Sequence, residues 1–306
     1  MMLRFLARRT VQALITVVAV LTIAFFLVRL SGKPGALLVA DGATAEDIDA
    51  LNQSLGFNDP LIVQYGRFVA DILGGGFGLS FRQGRSSLEI IGERLPATFE
   101  LALLAFAIGV GLAFLAAFVI QFTQARWAQK ALVWLGAFRQ AVPDFLFAII
   151  LVLVFAVTLG LLPSLGRAGP QSLVLPVATL ASAQFALYLR LFDASFSEQR
   201  AQDYVRTAYA KGQSHAQVVV TQMLPNAVLP VLTVAGLNLG GLLGGTVIVE
   251  MVFSWPGVGQ VLLNAVSVRD FPVVQAGLLV VALIFIVVNL LVDLAYAVLD
   301  PRVRLS

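Results

Sequence analysis

The sequence predicts an all-α integral membrane protein with six transmembrane helices. Hydrophobic residues make up 59% of the 306 residues and charged residues only 12%, whereas soluble domains carry about 25% charged residues. The mean hydropathy is +0.92. Several apolar runs occur along the chain. Each is close to about 20 residues long, which is the length that a helix needs to cross a bilayer. We therefore expect the lipid bilayer to surround most of this protein.

Composition also excludes several classes of function. The chain has no cysteine, and His215 is its only histidine, which rules out disulfides and thiol catalysis and leaves little material for a soft-metal site. The formal net charge of +3 comes from arginines near span ends rather than from a contiguous basic patch, so nucleic-acid binding is not indicated. We predict no catalytic residue, no metal site and no cofactor on this chain.

The first 96 residues divide into a membrane span and a polar loop. Residues 1–30 form a predicted cytoplasmic end and a retained first helix, because the apolar run is too long for a signal peptide and no clean cleavage site follows it. Residues 31–96 are polar and somewhat acidic and are predicted to lie outside the membrane. Ile62, Tyr65 and Phe68 recur at helical spacing, which predicts at least one amphipathic helix there.

Residues 97–299 form the predicted transmembrane domain, and residues 300–306 a cytoplasmic tail. The remaining spans are predicted at about residues 97–122, 131–162, 173–192, 227–253 and 273–298. Pro143 removes a backbone donor inside the third of the six spans and predicts a kink, with Asp144 and Arg139 beside it. Arg29, Arg190 and Asp293 lie near span ends, where long side chains reach the interface.

The fifth span is rich in glycine and carries a carboxylate. Its glycines are Gly236, Gly240, Gly241, Gly244 and Gly245. Glycines spaced four apart let a neighbouring helix approach closely, and packing within this chain, a subunit interface and a wall of the translocation path all remain open. Glu250 near the outer end of the span either lines a polar path or pairs with a neighbouring helix. A sharp turn outside the spans follows, at Trp255, Pro256, Gly257 and Gly259.

The distribution of basic residues predicts the orientation of the chain. Six spans place both termini on one side of the membrane, and the basic residues on that side are Arg4, Arg8, Arg9, Arg126, Lys130, Arg200, Arg206, Lys211, Arg302 and Arg304. The opposite short loops offer mainly Arg167 and Arg269. The positive-inside rule therefore places the termini and the loop at residues 194–226 in the cytoplasm.

That cytoplasmic loop contains a polar segment, residues 203–225, in which we predict a helical hairpin. Ser195 with Glu198 has the spacing of a capping box at a helix start. Lys211 lies in the last turn before Gly212, where only glycine readily adopts the left-handed cap. Further cues are a second capping box at Ser214 and Gln217 and a helix end at Pro225. An ordered loop between spans indicates a contact surface, with a solvated connector as the alternative.

Three classes of function compete for such a chain. An intramembrane enzyme needs a nucleophile with a base, but the only histidine lies in the hairpin, and neither Gly-x-Ser-x-Gly nor His-Glu-x-x-His occurs. A secondary transporter or channel subunit usually shows internal repeats, which are not visible here. A translocation subunit driven by a separate ATPase lacks a Walker A motif, as this chain does, and needs an ordered docking element.

The hairpin resembles the EAA loop of the permeases of type I ABC importers. In that pattern, Glu-Ala-Ala is followed by three residues, glycine, nine residues and Ile-x-Leu-Pro. Here Arg206-Thr207-Ala208, Gly212 and Gln222-Met223-Leu224-Pro225 have the same spacing, with Arg206, Thr207 and Gln222 replacing the usual residues.

Over nearly the whole chain, the sequence is similar to the B-type permease of the dipeptide, oligopeptide and nickel branch. The similar stretches are Asp203–Ala208 with Ala210–Gly212, Gly241–Gly245, Val249–Glu250, Phe253–Gly259, Arg269–Gln275, Asn289–Asp293 and Asp300–Arg302. Lys33 departs from this branch, which usually has an acidic residue there.

The resemblance implies a type I ABC importer permease in a bacterial inner membrane. Its implied partners are a homologous second permease, two cytoplasmic ATPase subunits that bind ATP and Mg, and an extracytoplasmic solute-binding protein. The solute is a peptide by default, with nickel chelates and glutathione as alternatives. The implied ATPase-coupling residues are Asp203, Tyr204, Arg206, Thr207, Ala208, Lys211, Gly212, Leu224 and Pro225. The fifth-span glycines and Glu250 are the candidates for the translocation path or the permease interface.

Overall fold

A computed structural model describes residues 2–39 and 43–299, and these residues are mainly helical. The α-helices are α1 (Met2–Leu30), α2 (Gly35–Leu38), α3 (Ala45–Ser54), α4 (Leu61–Leu73), α5 (Ser87–Gly92), α6 (Leu95–Thr123), α7 (Arg126–Ala141), α8 (Asp144–Leu151), α9 (Val174–Arg200), α10 (Asp203–Ala210), α11 (His215–Val218), α12 (Leu224–Val252), α13 (Val258–Ser267) and α14 (Phe271–Leu299). Two π-helical segments, Val152–Thr158 and Val219–Met223, and a 3₁₀ turn, Pro170–Leu173, complete the helices. The predicted tail at residues 300–306 lies outside the described residues.

Five helical stretches in the described part of the chain are long and apolar enough to cross a membrane. They are Arg9–Leu30, Ser87–Thr123, Pro170–Arg200, His215–Leu242 and Phe271–Val292. A sixth span arises if Trp127–Ala141 and Asp144–Thr158, which are bent by 103°, are counted as one. The predicted third span is therefore interrupted far more sharply than a proline kink.

The backbone at Pro143 explains why the interruption is so sharp. Val142 is extended at φ −90° and ψ 121°, as is favoured for a residue that precedes proline. Pro143 itself has φ −57° and ψ 143°, which is also outside the helical region. Two successive non-helical residues end α7 and start α8 in a new direction.

Arg139 satisfies the polar groups that this break exposes. Its guanidinium donates to the backbone oxygens of Val142 and Thr179, both at 3.0 Å, to Ser182 Oγ at 2.8 Å and to Asp144 Oδ1 at 2.7 Å. The arginine is only 8% exposed. A buried charge at a break in a span is stable only when it is paired and fully hydrogen-bonded, and the prediction that Pro143 and Asp144 mark a break beside Arg139 is confirmed.

The chain forms two compact units. Among the described residues, unit 2 comprises residues 99–255 and 291–299, and α9 is its central helix because it packs against α7, α8 and α12. Its buried core includes Tyr188, Leu189, Phe192, Phe196, Val205, Val218, Val219, Met223 and Val231. The core therefore joins α9 and α12 to the segment in which we predicted the hairpin.

Unit 1 comprises residues 1–98 and 256–290. Its core includes Val28, Phe57, Ile90, Ile91, Val258, Phe271 and Val274. Asp270 fastens the loop before α5 to this core, because its carboxylate accepts from the Ser80 hydroxyl and from the Phe81 N–H at 3.0 Å. The predicted amphipathic helix of the polar loop is α4, with Phe68 buried and Ile62 exposed.

Lys33, which replaces the usual acidic residue, joins two parts of the polar loop in unit 1. Its Nζ donates to Asn58 Oδ1 at 2.5 Å, and Asn58 Nδ2 donates to Asp49 Oδ1 at 3.1 Å. The Lys33 carbonyl accepts from Arg269 at 3.0 Å. This corner is therefore held by an ammonium group.

Candidate functional site

The predicted hairpin consists of α10 and α11, and Gly212 makes the turn between them. Gly212 has φ +82°, in the left-handed region that glycine adopts without strain from a Cβ. The N–H groups of Gly212 and Gln213 donate to the carbonyls of Tyr209 at 2.9 Å and Ala208 at 3.2 Å. These bonds satisfy carbonyls at the end of α10, so the predicted glycine cap is confirmed.

The second half of the hairpin starts at the capping box that the sequence predicts. Ser214 Oγ accepts from the backbone N–H of Gln217, and Gln217 Oε1 accepts from the backbone N–H of Ser214 at 3.1 Å. Each side chain thus satisfies a donor that the helix itself leaves free. Both ends of the turn at Gly212 are consequently held by local hydrogen bonds.

The first predicted capping box, Ser195 with Glu198, is wrong. Helix α9 continues to Arg200, beyond the predicted end of the fourth span near residue 192. Phe192 and Phe196 are buried on successive turns, which carries the helix through this polar stretch. Ser195 is itself buried, and its hydroxyl donates to the carbonyl of Ala227 at 2.8 Å. The hydroxyl therefore links two helices rather than capping one.

Pro225 does not end the second helix of the hairpin, as we predicted. Helix α11 continues through the π-helical segment Val219–Met223 into α12. Pro225 occupies the first turn of α12, where its missing N–H costs little. The Leu224 N–H donates to the carbonyl of Val219, so the wider π turn accommodates the proline. The hairpin is therefore continuous with the fifth span.

The hairpin has one buried side and one exposed side. Val205 and Ala208 on α10 are 1% and 5% exposed and belong to the core of unit 2, together with Val218 at the end of α11. The exposed predicted residues are Asp203, Tyr204, Arg206, Thr207, Lys211, Gly212 and Pro225, whereas Leu224 packs against the core. Of the predicted coupling residues, Ala208 therefore anchors the hairpin, and the polar ones face outward.

Few interactions within the chain use the exposed side chains. The ion pair between Arg206 and Asp203 is 3.7 Å long, with the two side chains 77% and 97% exposed, and such a pair contributes little stability. The Tyr204 hydroxyl donates to Gln199 Oε1. Partial burial and the nearby Glu198 carboxylate raise the pKa of Tyr204, so this hydroxyl remains a donor at neutral pH. The face is polar and open to a partner.

His215 ties the hairpin to α6. Its Nε2 is 2.8 Å from the carbonyl of Gln121, and its Nδ1 is 2.7 Å from the hydroxyl of Tyr209. Arg200 donates to the side chain of the same Gln121, which is only 1% exposed. The end of α6 is therefore hydrogen-bonded to both α9 and α11. In the sequence, the single histidine is the only signal of this connection.

The five glycines of the fifth span fall into different environments. At Gly236 a Cβ would lie 2.1 Å from Val292 Cγ1, so this glycine is required for packing within the chain. Gly240 is buried. At Gly241, Gly244 and Gly245 a Cβ would meet no atom of the described residues within 4 Å. These three are the glycines available for an interface or a path, and that role stays a prediction.

The end of the fifth span carries two buried groups. Glu250 is fully buried, and its Oε1 accepts from the Thr246 hydroxyl at 3.1 Å. Trp255 is also fully buried, its N–H donates to the Glu250 carbonyl at 2.8 Å, and Ser254 takes φ +48° to make the turn. Gly257 is the N-cap residue of α13, an apolar helix that we did not predict. The role of Glu250 in a path stays a prediction.

Comparison with known proteins identifies the class and the family. The chain resembles the crystal structure of an amino acid ABC transporter with histidines at a TM-score of 0.52 and 18% identity, covering 70% of this chain and 94% of that one. An inward-facing MetNI methionine ABC transporter matches at a TM-score of 0.52 and 16% identity, with coverage of 69% and 94%. The fold is that of a type I ABC importer permease.

Family models and relatives cover almost the whole sequence. Residues 109–305 match the model described as binding-protein-dependent transport system inner membrane component, and residues 2–102 match its N-terminal counterpart. A putative peptide transport system permease protein of Brucella melitensis and the glutathione transport system permease protein GsiC of Escherichia coli K12 are each 36% identical to the chain, over 99% of both sequences. The chain belongs to this family of inner membrane components and is an ABC importer permease subunit.

Proposed function

We propose that this permease forms half of the translocation path for di- or oligopeptides or a related solute such as glutathione, in a bacterial inner membrane. A homologous second permease supplies the other half. The names of the relatives support this solute class, since these proteins are similar to the chain over 99% of both sequences. The three uncovered glycines of α12, at 241, 244 and 245, are our candidates for the surface where the second permease or the path lies.

Separate ATPase subunits drive the permease through the hairpin. The observation that carries this proposal is the division of α10 between a buried side, Val205 and Ala208, and an exposed polar side that includes Tyr204 and Arg206. A helix that transmits movement must be attached to the helix bundle and accessible to the ATPase subunit, and α10 meets both requirements. ATP and Mg bind the ATPase subunits rather than this chain.

Transmission follows from how the hairpin is attached. The π-helical segment at 219–223 joins it directly to α12, and His215 joins it to α6. A displacement of α10 by an ATPase therefore moves spans rather than a loose loop. ATP favours one arrangement only as far as its binding energy differs between the two.

An extracytoplasmic binding protein delivers the solute to the loop at residues 31–96.

Single-cysteine variants test the docking face directly, because the natural chain has no cysteine. In the assembled transporter, Tyr204→Cys and Arg206→Cys should cross-link to an ATPase subunit through a short heterobifunctional reagent that reacts with the cysteine at one end and is photo-activated at the other. Val220→Cys is the matched control, because Val220 is 44% exposed and lies beyond the turn at Gly212. The control variant should not cross-link. If neither hairpin variant cross-links either, the docking assignment is refuted.

Sidedness provides a second test. A membrane-impermeant maleimide added to intact cells should label Arg82→Cys in the predicted extracytoplasmic loop and leave Arg206→Cys unlabelled. After permeabilisation both should react, because both side chains are exposed. Labelling of Arg206→Cys in intact cells would contradict the cytoplasmic placement of the hairpin.

A further inference from the structure

Unit 1 contains a cleft of about 200 Å³ that the transport mechanism above does not use. It lies where α1 ends and α14 begins, and the segments around residues 55–57 and 76–81 form its other walls. Arg29, Asp71 and Gln275 line it together with several phenylalanines. Each of these three polar residues has bonding capacity that no other residue in the described part of the chain uses.

Arg29 is a half-buried cation with no ion pair to any acidic residue among those that the structure describes. The rings of Phe25, Phe57 and Phe271 lie 4.7, 4.3 and 5.5 Å from its guanidinium carbon, and that its side chain reaches the membrane interface stays a prediction. Its Nε donates to Gln64 Oε1 at 2.7 Å, and no hydrogen bond or ion pair to the described residues uses its two terminal nitrogens. A carboxylate fits that free edge because it accepts two parallel N–H bonds.

Gln275 brings a second unused donor to the same cleft. The side chain is only 5% exposed, and its Nε2 has no hydrogen-bond partner among the described residues. Buried amides are nearly always bonded, because an unmet donor is costly. Two donors without acceptors, on α1 and α14, therefore line one cleft, which indicates that the acceptor comes from a ligand.

Asp71 supplies the opposite charge. Its carboxylate makes no hydrogen bond or ion pair with the described residues, whereas neighbouring Arg67 is already paired with Asp59 at 2.5 Å. Asp71 follows Gln64, the partner of Arg29, by seven residues on α4, which corresponds to roughly 10 Å along the helix. An extended chain of two residues spans about 7 Å, and with a hydrogen bond of about 3 Å at each end it can reach across this separation.

We propose that this cleft binds a short zwitterionic solute, a dipeptide. The solute carboxylate binds Arg29, with Gln275 as a further donor, and its ammonium group binds Asp71. Phe57 and Phe81 give the solute side chain an apolar wall. The paired opposite charges select against simple anions such as phosphate, which Asp71 repels.

Binding of L-alanyl-L-alanine to the purified full-length chain in nanodiscs, measured by isothermal titration calorimetry, tests this proposal. Saturable binding is expected, and it should weaken about tenfold or more when the dipeptide is amidated at its C-terminus or acetylated at its N-terminus, because each change removes one charge-assisted contact. Absence of saturable binding, or equal affinity for either blocked peptide, would overturn the proposal.

Variants locate the two contacts. Arg29→Gln and Asp71→Asn should each weaken binding about tenfold or more, whereas Arg85→Gln should not, because Arg85 is an exposed arginine of the same unit that pairs with Glu89 and Glu93. Asp71 is exposed, so Asp71→Asn decides the matter if Arg29→Gln does not fold. Wild-type affinity in Asp71→Asn would overturn the proposal. Because no other subunit is present, failure here leaves the docking proposal intact.

Discussion

Unit 2 contains two sites where a helix ends abruptly, one at Gly212 and one at Pro143, and they satisfy the freed backbone groups in different ways. At the first site the backbone N–H groups of Gly212 and Gln213 donate to carbonyls of α10, and the rest of the turn is exposed. At Pro143 the guanidinium of Arg139 donates hydrogen bonds to the carbonyls of Val142 and Thr179 and forms an ion pair with Asp144. The first site needs only a glycine, and the second needs a buried cation.

The difference follows from the solvent expected at each site. The hairpin is polar and predicted to face water, which satisfies any carbonyl that the glycine cap leaves free. The break at Pro143 interrupts an apolar span, where lipid offers no hydrogen bond and each backbone group needs an internal partner. A break in a span therefore depends on a specific side chain elsewhere, whereas a break in water depends on local conformation.

The largest effect is expected when the buried cation is removed. Arg139→Leu should lower the free energy of unfolding by about 3 kcal/mol, because it leaves two carbonyls and one carboxylate without their donor. Denaturant unfolding of the purified protein measures this. Arg190→Leu is the matched control, since Arg190 is exposed and, among the residues that the structure describes, bonds only Gln140, and it should change stability by less than about 0.5 kcal/mol. Equal effects of the two substitutions would remove the contrast drawn above.

A substitution at Gly212 should have a smaller effect that depends on the side chain. Gly212→Val should cost about 1–2 kcal/mol through left-handed strain alone, because a Cβ there meets no atom of the described residues within 4 Å. Gly212→Asn should cost less, since asparagine tolerates this region.

The same series tests coupling in the assembled transporter. Gly212→Val should uncouple ATP hydrolysis from uptake, measured as solute transported per ATP consumed, while Gly212→Asn keeps most of the coupling. Normal coupling and assembly in Gly212→Val would show that the bend is not part of a lever.

Loss of the second cap should be milder still. Ser214→Ala removes the acceptor of the Gln217 N–H and should cost about 1 kcal/mol. Hydrogen exchange of the amides in residues 214–218 should accelerate, while exchange in α9 stays unchanged. Ser214→Asp, which keeps an acceptor at the cap, should restore the protection. If the amides of residues 214–218 exchanged at the natural rate in Ser214→Ala, water would be as good an acceptor for the Gln217 N–H as the serine hydroxyl.

Charge reversal at Arg206 should have the smallest effect on the fold and a large one on assembly. The side chain is 77% exposed, so Arg206→Glu should change stability by less than about 0.5 kcal/mol. A pull-down from membranes should recover less ATPase with this variant than with Arg82→Glu, a control in the loop predicted to face the other side. Equal recovery would mean that Arg206 does not contact the ATPase.

Local patterns predicted those features whose physical cause is local. The cap at Gly212, the capping box at Ser214 and the amphipathic helix α4 each depend on residues within a few positions of one another, and each is confirmed. Five long apolar helices in the described part of the chain overlap predicted spans, because a span needs about 20 apolar residues whatever its neighbours are.

Predictions failed where a distant contact decided the outcome. Ser195 has the spacing of a cap, but buried Phe192 and Phe196 hold it inside α9, where its hydroxyl bonds Ala227. The three phenyl rings around Arg29 were not predicted either, because Phe57 and Phe271 are far from it in sequence. Pro225 was predicted to end a helix, but it lies in the first turn of α12, because the π turn that precedes it accommodates the proline.

The amino-acid sequence alone determined the membrane class and the family motif of the hairpin, because hydropathy and short-range spacing require no knowledge of neighbours. The tertiary structure alone decided which side of α10 is buried, which glycine of α12 is packed and which charged groups remain unpaired. Those features depend on contacts between residues far apart in the chain, such as Gly236 with Val292 and Arg139 with Thr179.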